Sequence, residues 1–86
     1  MSDALPIRVM VPDVWDEVAL TVPASTTAAD LKHRALTASH VTRDPAGYVL
    51  KYRGAAVTDE SRSLAELGVV PNAHVIVLAR QRRAVR

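Results

Sequence analysis

Residues 7–11 and 18–22 of this chain alternate in character along the backbone. Ile7, Val9 and Val11 alternate with Arg8 and Met10, the period-two pattern of a strand with one buried face. Val18, Leu20 and Val22 alternate with Ala19 and Thr21 in the same way. The short stretch 12–17 between them makes a hairpin of the two strands, and Pro23, which lacks a donor, stops the second. Leu31, Ala35 and Ala38 recur at helical spacing and predict a helix over about 28–39. Thr27 and Asp30 have capping-box spacing at its start, and Asp30 suits the positive end of the helix dipole. Asp44-Pro45-Ala46-Gly47 is a turn. Tyr48-Val49-Leu50-Lys51-Tyr52-Arg53 is strand-like and Gly54 ends it, with Tyr48 and Tyr52 on the face of Leu50. Residues 63–69 form one short helical turn closed by Gly68. His74-Val75-Ile76-Val77-Leu78-Ala79 is the most apolar run and predicts a central strand, partly exposed on one side. The order β–β–α–β–turn–β gives an α+β fold, a mixed sheet of four to five strands with one helix packed across it.

Composition narrows the function classes. At 86 residues the chain holds one domain, with residues 1–6 a flexible N-terminus, 7–80 the domain and 81–86 a basic C-terminal tail. Its core must come from small and branched aliphatics, with 13 Val, 14 Ala, 8 Leu and 2 Ile against 3% aromatics. A core of that size leaves little room for a deep active-site cavity. The absence of cysteine excludes a disulfide scaffold and thiol chemistry. No apolar run approaches the roughly 18–20 residues that span a bilayer, and no secretory signal is visible, so the expectation is a soluble cytoplasmic protein with no membrane insertion.

Charge is unevenly placed. Residues 1–20 carry −3, residues 21–79 carry +1, and the last seven carry +4 from Arg80, Arg82, Arg83 and Arg86. This arginine tail is either a solvated, solubilising end or a weak, nonspecific contact for nucleic acid or another acidic surface. His33, His40 and His74 have no metal-site spacing, and three scattered glycines make no phosphate loop, so no catalytic residue, metal or cofactor is assigned.

Several segments in order resemble the ubiquitin-like β-grasp family. They are the opening hairpin, Pro23-Ala24-Ser25-Thr26-Thr27 before the helix, Thr27-Ala28-Ala29-Asp30-Leu31-Lys32, and Leu50-Lys51-Tyr52-Arg53-Gly54. Val57-Thr58-Asp59 with Arg62-Ser63-Leu64, Leu67-Gly68-Val69, and Val75 to Arg80 complete the match, with small insertions after the helix and near Asp59. The resemblance implies that Lys32 is partly buried and paired with Asp59. It also implies a recognition surface on the open face of the sheet, with Ile76 and Leu78 on the last strand, Lys51, Arg53 and Arg80 at its margins, and Arg8 and Met10 on the neighbouring strand. Ile76 and Leu78 read otherwise as strand formers that happen to face out.

Family members that act as modifiers or sulfur carriers end in a di-glycine. No glycine follows Gly68 here, which implies a non-enzymatic, non-conjugating interaction module. The expected partner is a protein with an acidic rim, met by a monomer. A modifier with an atypical terminus is the weaker alternative. The small ubiquitin-like proteins encoded beside bacterial type VII secretion machinery are similar in size and also lack the di-glycine. Trp15, at the hairpin tip beside Asp13, Asp16 and Glu17, is read as packing on the sheet rim, with an exposed partner anchor as the alternative.

Overall fold

A computed structural model describes residues 4–42 and 44–79. Strands β1 (Ala4–Val11), β2 (Asp16–Pro23), β3 (Tyr48–Tyr52), β4 (Ala55–Ala56) and β5 (Ala73–Ala79) form one sheet in the order β2-β1-β5-β3-β4. β1 and β5 are parallel and every other pair is antiparallel, which is the mixed sheet expected. β5 lies centrally, as its unbroken apolar run implied. β1 begins at Ala4, where it pairs with Pro23, so residues 4–6 belong to the sheet and not to a flexible lead-in.

Helix α1 (Ala28–Ala38) crosses one face of the sheet and turns Leu31, Ala35 and Leu36 inward. Thr27 is its N-cap, and its side-chain oxygen accepts from the Asp30 N–H at 3.1 Å. Two further N-terminal amides, of Ala28 and Ala29, donate to the carbonyls of Arg62 and Glu60, so the loop near residue 60 is bonded to the helix start. At the other end Val41 N–H donates to Leu36 O and His40 N–H to Thr37 O, with His40 at φ 61°. These are the bonds of a Schellman turn, with histidine where glycine is usual.

The core joins Leu5, Ile7, Val9 and Val11 of β1, Val75 and Val77 of β5, Tyr48 and Leu50 of β3, the helix residues, and Leu64. Leu64 comes from the predicted helical turn at 63–69. There Ser63 and Glu66 cap one another reciprocally: Glu66 N–H donates to Ser63 Oγ at 3.1 Å and Ser63 N–H to Glu66 Oε1 at 3.0 Å. Gly68, at φ 79°, closes the turn.

Two local expectations are corrected. Arg53 is not part of β3. It sits at φ 58° and Gly54 at φ 82°, the two central positions of a tight hairpin turn between paired Tyr52 and Ala55. Lys32 does not pair with Asp59. Its ammonium donates to both carboxylate oxygens of Glu60, at 2.8 and 2.9 Å, and to Tyr48 O at 2.9 Å. The acid that meets it is therefore the next residue along the chain. Asp59 instead accepts from the N–H and hydroxyl of Ser61, and these bonds hold its carboxyl below the usual aspartate range.

Candidate interaction surface

Strand alternation sends Leu5, Ile7, Val9, Val11, Val75 and Val77 toward the helix and leaves the opposite face uncovered among the described residues. The register places five residues in one line across that face. Glu17 of β2 lies opposite Met10 of β1, Met10 beside Ile76 of β5, Ile76 opposite Lys51 of β3, and Lys51 opposite Ala56 of β4. Met10 and Ile76, each 38% exposed, are the apolar centre of this line. Leu78, half-buried opposite Val49, extends it one step along β5.

Polar groups stand around the aliphatic centre. Arg8 lies beside His74, and both approach the Glu17 carboxylate at 3.9 Å. Each of these groups is well exposed, so water screens their attraction and the cluster adds little stability. Glu17 partly offsets the charge of Arg8, whereas no described acid pairs with Lys51. The basic margin is therefore strongest on the β3 side.

Of the sequence-predicted site, Ile76, Leu78, Met10, Arg8 and Lys51 share this face. Arg53 does not extend it as a strand residue; from the turn its guanidinium lies 5.8 Å from the centre of the Tyr52 ring. Arg80, Arg82, Arg83 and Arg86 lie outside the described residues. Trp15 does not pack on the rim: it is 90% exposed. It stands at φ 54° and ψ 40° after the Pro12–Val14 turn, and its N–H donates to Pro12 O at 3.1 Å. Sequence reasoning missed Glu17, His74 and Val49 on the open face. The alternation of each strand would have found all three, once the phases of Met10, Ile76 and Lys51 were set.

Among the described residues no group of three His, Cys, Asp or Glu side chains could hold a metal ion. None of the helices there is long and apolar enough to cross a membrane. One concavity lies beside the end of α1 (His33, Leu36, His40), and another beside β4 (Ala55, Val57, Leu67) reaches the edge of the open face at Ala56.

The fold is the ubiquitin-like β-grasp. A ubiquitin from Caldiarchaeum subterraneum superposes with a TM-score of 0.78 at 17% identity, over 94% of this chain and 99% of that one. A ubiquitin-like domain of an Arabidopsis thaliana protein gives 0.76 at 20% identity, over 96% of this chain and 85% of that one. The N-terminal ubiquitin-like domain of the 4931431F19Rik protein gives 0.75 at 17% identity, over 100% and 84%. No family model matches the sequence, and neither does any curated protein. At these identities the likeness defines the fold, and function has to be argued from this chain's own surfaces.

Proposed function

We propose that this domain is a non-enzymatic, non-conjugating interaction module that captures a protein partner through the open face of its sheet. The observation that carries the reading is the line Met10–Ile76–Lys51, two exposed aliphatics adjoining a cation that no described acid pairs, on three adjacent strands. Rigid strands hold these side chains in fixed relation, so a partner meets a prepared surface and little ordering is lost on binding. Apolar anchors ringed by polar groups fit a partner that presents an apolar segment with an acidic rim on the Lys51 side.

The test compares a partner retained by the wild-type domain with the variants Ile76→Asp and Lys51→Glu. Ile76→Asp should weaken binding by at least about 1–2 kcal/mol, as loss of an anchor does. Lys51→Glu should slow association and reduce its salt dependence. Normal binding by both folded variants would place the interaction elsewhere.

A further inference from the structure

The hairpin tip and the end of the central strand lie together. β5 runs parallel to β1 with Ile76 beside Met10, so its last residues continue toward the Pro12–Val14 turn, and β5 packs against that turn. The described chain stops there, at Ala79. The next seven residues hold Arg80, Arg82, Arg83 and Arg86.

The tip has the complementary character. Trp15 offers nearly its whole indole to solvent from a left-handed backbone position that bulky residues seldom occupy. Asp16 and Glu17 follow it, both exposed, and no described cation pairs with Asp16. An indole face attracts a guanidinium through its quadrupole, and adjacent carboxylates add charge and hydrogen-bond acceptors.

We infer that the Trp15 tip is a docking surface for the arginine-rich segment 80–86 of the same chain, with a guanidinium on the indole and Asp16 at its edge. Seven extended residues reach about 23–25 Å, ample for a surface adjoining the strand end. A short tether also gives an effective concentration in the millimolar range, so the chain's own arginines outcompete those of a second copy at ordinary protein concentrations.

Trp15 is the single tryptophan, so its fluorescence reports on the tip alone. The experiment measures acrylamide quenching of the full chain and of the triple variant Arg82→Gln/Arg83→Gln/Arg86→Gln, with circular dichroism confirming that both are folded. At about 10 mM salt the variant should be quenched about two-fold more strongly than the wild type. About 1 M salt should raise the wild type to that level and leave the variant unchanged. Equal quenching of the two proteins at low salt would overturn the proposal. Diluting the wild type from about 500 to about 5 µM should change nothing, because the contact is intramolecular. Stronger quenching on dilution would mean that a second copy supplies the arginines, and the same-chain assignment would be wrong.

Discussion

The two sides of the sheet are built from the same strands and obey opposite rules. On the helix side β1 and β5 present only apolar side chains, and the cation beneath the helix, Lys32, is 3% exposed and satisfied by Glu60 and the Tyr48 carbonyl. On the open side Lys51 stands in a line with Met10 and Ile76, and no described acid pairs with it. The domain's two lysines thus divide the labour: Lys32 joins helix, sheet and the loop near residue 60, and Lys51 faces outward.

Adjacent residues of β5 break this contrast most sharply. Val77 is fully buried, and Val77→Asp would place an unpaired charge in the core. The whole domain is worth about 4–13 kcal/mol at about 0.05–0.15 kcal/mol per residue, so this change should unfold it. Ile76→Asp, one residue away on the open side, should keep the native circular dichroism spectrum. If Ile76→Asp unfolds the chain and Val77→Asp does not, the assignment of the two faces is inverted.

Smaller effects follow at the buried cation. Lys32→Ala removes the partner of a carboxylate held mostly out of water and should cost about 1–3 kcal/mol, below the figure for a fully buried pair. Glu60→Ala strands the ammonium itself and should cost at least as much in urea melts. Asp59→Ala, next in sequence, should cost much less, because Asp59 is exposed and bonds only within its own turn and to Arg62. Equal losses for Asp59→Ala and Glu60→Ala would restore the pairing read from the sequence.

The smallest effect concerns pH. The Asp59 carboxyl is held below its ordinary range chiefly by the Ser61 hydroxyl and amide, with Arg62 adding a weaker pull. Its contribution is present above the unfolded-state pKa and lost as pH falls through the lowered folded-state value. Asp59→Asn should therefore remove a slight acid-side slope in stability and leave melts at neutral pH nearly unchanged.

Periodicity carried most of the fold. The phases of β1 and β5, the Thr27 cap and the turn closed by Gly68 are local patterns, and the sheet's inner and outer faces follow from them. What the sequence hid depended on tertiary geometry or on sign changes in φ. Asp59 and Glu60 are adjacent acids that the sequence does not distinguish as partners of Lys32, and only tertiary geometry selects Glu60. Arg53 looked like a strand residue because arginine is unusual at a left-handed turn position, where Gly54 alone was the visible signal. The sequence suggests rim packing for Trp15 because large apolar residues usually find cover; the Pro12–Val14 turn carries it into solvent instead. Strand alternation alone puts Glu17 and His74 on the open face, but their shared cluster with Arg8 exists only once β2, β1 and β5 are side by side.

The central claim is that the helix-free face receives a partner. The most direct measurement is the footprint of a bound partner on the amide resonances of this domain. The account predicts perturbations concentrated at residues 8–10, 49–51 and 74–78, absent when the same partner is added to the folded Ile76→Asp variant. Perturbations confined to α1 or to the 55–67 loops, and unchanged by Ile76→Asp, would contradict it.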